Sequence, residues 1–508
     1  MAHEFGHFSQ RSMKFGSYTY NMNRVIYNML YDNEGYAQTL NTLGNVHSFI
    51  RLGIYINIQV IKGIQALLKK IYVVVNRSYL KLSREMEFHA DAVSAYVTGS
   101  NHTINSLRRI ELSQVCYDST FNYLNILAKD KKRPDNIYPQ HVAVMSLFAA
   151  NNQLQADAAG IPMIDKKLAV LNNTQIVIAD QWSSHPSTDE REQHLNAINV
   201  ITDTTDLPAW SLFNHPEELQ LRLSNMVYEG VSEPYDVIDT ATAKQIFDQK
   251  TEENSYSKAY KGYHDGRYLT EFDIDELTAR PYQKTNISFN EWLNDERINL
   301  PARIKGIKGD MATVKAIYEG DQVKTFDFKG VKYNQIDAPN IEKHLQTELA
   351  ETEDQLKETD KEMFLYFYHH AAQPQKIADA YNDFFACQQR TIANLTRYEK
   401  LIDTISPIYT NMHPNDIEHT LDLVYALEKD FKPHMKTLLD DHLYSTSILP
   451  EYKEAIEAYL GKTLVYYTSM YNEVAIGTLN KALSAYFAIV DDHYFSHKKQ
   501  LLKLQLAE

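Results

Sequence analysis

Apolar positions recur with a helical period over most of this chain. From about Pro339, the residues Ile341, Leu345, Leu349, Leu356 and Met363 fall at spacings of four and seven, with Glu, Lys and Asp between them. That pattern predicts one long amphipathic helix. Further helical stretches are predicted from about Ala372 to Asp403, from Asp416 to Leu443 and through 451–506, so that residues 339–508 read as a helical bundle. In such a bundle Tyr466, Tyr467 and Tyr471 belong to the core, and the His369-His370 pair at the end of the first helix caps it and meets solvent.

The first 230 residues are also mostly helical in pattern. A helix is expected at the very start, an apolar stretch at 49–75, a helix through Ala95 and another over Ile104–Leu127, with Pro134, Pro139 and Pro162 punctuating the connections. Near Glu233-Pro234 the texture changes, and residues 235–300 become polar and Tyr-rich. Residues 311–333 alternate: Ala312–Tyr318, a Glu319-Gly320-Asp321 turn, Val323–Phe328, Lys329-Gly330 and Val331–Tyr333. We read these as a small β-hairpin or meander. The fold class is therefore mainly α. The expected domains are 1–234, a mixed region 235–338 with the small β-meander, and the bundle 339–508.

Composition narrows the function classes. A formal charge of −15 with no basic run argues against a nucleic-acid partner. Two cysteines, Cys116 and Cys387, far apart, suggest neither a disulfide framework nor a cysteine-based metal site. The start carries no charged and apolar leader pattern. In the stretch 49–75 the longest uncharged run is Leu52 to Ile61, well short of a membrane span. A buried or amphipathic helix is the plain reading there, with an interfacial segment as the alternative.

The candidate chemistry lies at residues 3–7, His3-Glu4-Phe5-Gly6-His7, an HExxH box. On a helix its histidines stand one turn apart on one face and can reach a single Zn²⁺, with Glu4 as general base toward a water. A metzincin continuation would need Gly at 10 and His at 13; the chain has Gln10 and Met13. Asn33-Glu34 offers a third carboxylate, but Gln38 stands where an orienting aspartate belongs. Ser83-Arg84-Glu85-Met86-Glu87-Phe88-His89-Ala90-Asp91 is better, because Glu87 and Asp91 share one helical face. Glu85 lies about 200° around the helix from Glu87, so both cannot face one ion.

A third segment, Gln181-Trp182-Ser183-Ser184-His185-Pro186-Ser187-Thr188-Asp189-Glu190-Arg191, completes an ordered series of HExxH, SRxxEFxAD and SHPSxxER. Over roughly residues 1–200 this series resembles the family of the HtpX-type heat-shock membrane proteases and the CAAX prenyl proteases, peptidase family M48 of gluzincin type. The resemblance implies a gluzincin-type helical core and one Zn²⁺ per chain, held by His3, His7 and Glu87, with Glu4 as general base. It implies that Asp91 holds a ligand histidine, that His185 donates a hydrogen bond to the oxyanion, and that Arg191 ties its loop to a nearby carboxylate. The expected activity is zinc-dependent endopeptidase action on peptide or protein substrates. The alternative is an inactive relative serving as a protein-binding helical scaffold. Relatives of this type are membrane-associated, which here would involve residues 49–75 or a segment upstream; the chain alone reads as cytoplasmic or peripheral. Only two residues precede His3, so the domain is expected to be incomplete at its amino terminus, through an internal start, a fragment or a partner that completes it.

Overall fold

The computed structural model describes residues 1–10, 22, 25, 48–152, 154–156, 161–163, 174–177, 185–203, 209–229, 234–282, 286–320, 323–409, 414–468 and 471–507. The Asn33-Glu34 and Gln38 candidates, and residues 181–184 of the His185 segment, lie outside the described residues. The chain divides into two compact units, Met1–Glu253 with Gly306–Leu345, and Asn254–Lys305 with Gln346–Glu508. Both are built mainly from helices, as the periodicity predicts.

In the first unit, α1 (Ala2–Phe8) packs on α2 (Ser48–Thr98), and α2 packs on α3 (Ser100–Lys129). The apolar stretch and the Glu87 segment are thus one helix of 51 residues. Among its described side chains Val60, Ile64, Leu67 and Ile71 are exposed. No helix among the described residues is long and apolar enough to cross a membrane. At Gly99, where α2 gives way to α3, φ is +97°, open to glycine at little cost. α3 buries Leu112, Cys116, Thr120, Tyr123 and Leu127, spacings of three and four that make one face. That face packs with Val144 and Met145 of α4 (Tyr138–Asn151).

Two small sheets complete this unit. Strand β1 (Lys132–Pro134) pairs in parallel with Asp236–Ile238, and Ile176–Val177 pairs with Thr325–Phe328, which pairs in turn with Val331–Asn334, both antiparallel. The last two strands form the expected hairpin. Its two-residue turn, Lys329-Gly330, has both φ values positive, +50° and +78°, the twist that suits a tight hairpin.

One strand expectation fails. Ala312–Tyr318 lies inside the helix Leu300–Glu319. Within it Ile307, Asp310, Val314 and Ile317 are buried, at spacings of three and four, so the longer window shows the helical period that seven residues hide.

The second unit is a helical bundle containing most of Ala338–His370, with Pro374–Ile405, Pro414–Asp440, Pro450–Leu460 and Glu473–Ala507. Tyr466 is fully buried in it, and Tyr467 and Tyr471 pack partly buried against the same core. The expected cap is present: the His370 ring Nδ1–H donates to the Tyr366 carbonyl at 2.7 Å, while His369 stacks on Tyr282. A second, aromatic core gathers Tyr260, Tyr263, Trp292, Phe364, Tyr381 and Phe384.

Beside that core the buried Asp360 carboxylate accepts from Arg267 Nη1 at 2.9 Å, from the Tyr263 hydroxyl at 2.9 Å and from the Thr270 amide at 3.0 Å. A buried charge is tolerable only when it is paired and its lone pairs are used. Asp360→Ala should therefore lower the stability of this unit by about 3–5 kcal/mol, by leaving the Arg267 guanidinium without its counter-charge. Urea unfolding followed by near-ultraviolet circular dichroism of the tyrosine-rich core measures it; an unshifted midpoint would show the pair to be dispensable.

Candidate metal centre

Seven residues of isolated helix are too few to persist in water, so α1 depends on what it lies against. Gly6 is its one buried residue. A Cβ added there would sit 2.8 Å from Ala90 Cα and 3.0 Å from Ala90 O, so the two helices touch backbone to backbone. At the far end the Gln10 side chain donates to the Met86 carbonyl at 2.7 Å. These contacts set α1 beside the turn of α2 that carries Glu87 and Asp91.

The two histidines then converge. His3 Nε2 and His7 Nε2 are 3.1 Å apart, and the Glu87 carboxylate faces both, with Oε2 3.4 Å from His3 Nε2 and Oε1 3.5 Å from His7 Nε2. Donors about 2.0–2.2 Å from a tetrahedral ion stand about 3.3–3.6 Å from one another. Two imidazole nitrogens and a carboxylate oxygen at these separations fit a four-coordinate divalent ion, leaving its fourth position for water or substrate.

Behind His3 stands Asp91, which is fully buried. The His3 Nδ1–H donates to Asp91 Oδ1 at 2.9 Å, which fixes the tautomer and turns Nε2 toward His7 and Glu87. Arg191 closes the arrangement with a bidentate pair, Nε to Oδ2 at 2.7 Å and Nη2 to Oδ1 at 2.6 Å. Arg191 comes from α5 (Thr188–Ile198), whose Ser187 and Glu190 form a reciprocal capping box. Glu190 also pairs with Arg84 of α2. Arg108 of α3, itself buried, donates to Asp189 Oδ1 at 2.7 Å and to Glu192 Oε2. Asp189, Glu190 and Glu192 thus dock α5 on α2 and α3, while Asp189 and Glu190 stay open to solvent.

His185 approaches from the open side, its Nδ1 2.9 Å from Glu87 Oε1 and its side chain 66% exposed. Glu4 is exposed on α1 next to His3. Its charge reaches the Arg191 guanidinium.

The protonation states follow from these partners. With no ion bound, hydrogen bonds to Asp91 and then Glu87 lift His3 to about 9, so an ion entering the cluster must displace the Nε2 proton. Burial would raise the Glu87 carboxyl, but the hydrogen bond from His3 and the charges of His185, Arg191 and His7 outweigh it and hold it below its ordinary value. Asp91 is held down in the same way against its burial, by Arg191 and then His3. The Glu87 and Asp91 carboxylates are both ionised at neutral pH.

All six residues singled out around His3 (His3, His7, Glu87, Asp91, His185 and Arg191) thus meet in one cluster, with Glu4 beside it. What the sequence did not disclose is the packing that holds them: the Gly6–Ala90 contact, the Arg84–Glu190 pair and the buried Arg108. A glycine inside a helical motif was the available signal for the first. Gly6→Ala should push α1 off α2 and weaken metal retention at least about ten-fold, since site geometry tolerates little displacement. Chelator competition on the purified chain measures this. Unchanged affinity would mean that the close approach does not set the ligand positions.

Residues 1–199 match the family model of peptidase family M48. No curated protein and no solved structure matches the chain. The family is one of metal-dependent peptidases, and its matched span covers α1, the whole of α2 and the α5 helix with Arg191, every element that contributes to the cluster. The likeness to peptidase family M48 thus covers residues 1–199, the part of the chain that carries the whole cluster.

Proposed function

We propose that the first unit is a zinc-dependent endopeptidase domain in which His3, His7 and Glu87 hold Zn²⁺ and Glu4 is the general base. The observation that carries this reading is the convergence of His3 Nε2, His7 Nε2 and the Glu87 carboxylate, backed by the buried Asp91–Arg191 pair. Nitrogen and oxygen donors with one position open are the donor set of catalytic rather than structural zinc. Zinc, when bound, supplies Lewis acidity toward the scissile carbonyl and the attacking water.

The chain's own residues do the rest. Glu4 takes the proton of the attacking water and returns it to the leaving amine, a task suited to an exposed carboxylate one residue from a ligand. His185, on the open side of Glu87, donates a hydrogen bond to the developing oxyanion. Asp91 and Arg191 touch no substrate; they keep His3 in one tautomer and one orientation. The substrates are peptide bonds of protein chains. The exposed stripe of Val60, Ile64, Leu67 and Ile71 on α2 suits contact with an apolar surface, and residues 49–75 are the segment through which this unit would associate with a membrane.

Metal analysis and casein hydrolysis test this together. Glu87→Ala should hold one equivalent of zinc fewer than the wild type. Glu4→Gln should keep its zinc and lose at least about 100-fold in turnover, the usual contribution of a positioned base. Equal zinc in wild type and Glu87→Ala would sink the ligand assignment, and wild-type turnover in Glu4→Gln would sink the mechanism.

A further inference from the structure

The spacing of the cysteines gives no sign of a metal site, but the bundle of the second unit supplies one of them with partners. Cys387 lies on the helix Pro374–Ile405 and is fully buried. His493 and His497 lie one turn apart on the helix Glu473–Ala507, which packs against it. One ligand atom from each residue, a thiol sulfur and two imidazole nitrogens, lies within 4.8 Å of the other two. Around tetrahedral zinc, donors of these kinds stand about 3.3–3.6 Å apart. Small side-chain adjustments about one centre would bring the trio to that spacing.

Two further observations point the same way. His493 is 2% exposed, yet its Nε2 has no hydrogen-bond partner. Buried imidazole nitrogens are ordinarily satisfied, so an unpartnered one calls for an explanation such as an ion. His497 Nδ1–H donates to the His493 carbonyl at 2.9 Å, which leaves Nε2 as the basic nitrogen of its ring. An imidazole held in this manner by a backbone carbonyl is the usual state of a metal-ligating histidine.

We propose that Cys387, His493 and His497 form a second metal site, for a thiophilic divalent cation of the zinc class. Its sulfur and two nitrogens complete three positions of a tetrahedron, and the half-buried edge of His497 leaves the fourth for water. The site joins two helices of the bundle, so its role is to fix their packing. It stands independently of the peptidase reading, because no residue is shared.

Cobalt(II) distinguishes the two centres, since only a thiolate ligand gives sulfur-to-cobalt charge-transfer absorption in the near ultraviolet. The full chain and its Glu87→Ala variant, both stripped by chelator, should reach the same final absorption, Glu87→Ala saturating at one equivalent, and lose it on adding zinc. Cys387→Ser should abolish it. His497→Gln, at the half-buried edge, should bind cobalt at least ten-fold more weakly while remaining folded by circular dichroism. Absence of the band in the wild type overturns the proposal. So does a band that survives in Cys387→Ser, which would assign it to Cys116, or unchanged affinity in His497→Gln should the serine variant not fold.

Discussion

A carboxylate with no solvent exposure is the constraint on which the first unit depends. Asp91 has no exposed surface, and an ionised group so placed is tolerable only if each oxygen has a charged or N–H partner. Its partners come from both sides of the chain: His3 from α1 and Arg191 from α5. Satisfying one buried charge therefore fastens three helices to one another. It also turns His3 Nε2 toward Glu87, so the demand of folding and the geometry of the metal centre are met by the same bonds.

The rest of that unit reads as provision for this arrangement. Gly6 lets α1 come close enough for His3 to reach Asp91. Arg84 and Arg108 hold the acidic edge of α5 so that Arg191 arrives from the correct side. At Gly99 the backbone turns, and Thr202 donates its hydroxyl to the Thr98 carbonyl at 2.6 Å, stitching the chain after α5 to the junction of α2 and α3. The clustered histidines and Glu87 sit on helices that are aligned by charge pairs outside the cluster itself.

Much of this was legible because the motifs are local. His3 with His7, and Glu87 with Asp91, are i and i+4 pairs whose common face follows from helix geometry alone. The helices of the bundle and the hairpin around Lys329-Gly330 were legible for the same reason, one period or one turn at a time. Ala312–Tyr318 was misread because seven residues with Val314, Ala316 and Tyr318 in alternation satisfy both periods until Ile307 and Asp310 are counted. Long-range pairings had no such signature. Nothing in the spacing of Arg84 and Glu190, or of Cys387 and His493, marks them as neighbours, because their approach is created by the packing of whole helices.

The sequence separations inside the cluster carry a consequence for how the protein is made. His3 meets Asp91 across 88 positions and lies against Arg191 across 188. Synthesis at about 5–20 residues per second places roughly 10–40 s between the appearance of His3 and of Arg191. Throughout that interval His3 lacks the guanidinium that anchors its partner Asp91. The cluster of His3, His7 and Glu87 therefore reaches its final arrangement late, only after α5 has emerged and docked on α2 and α3.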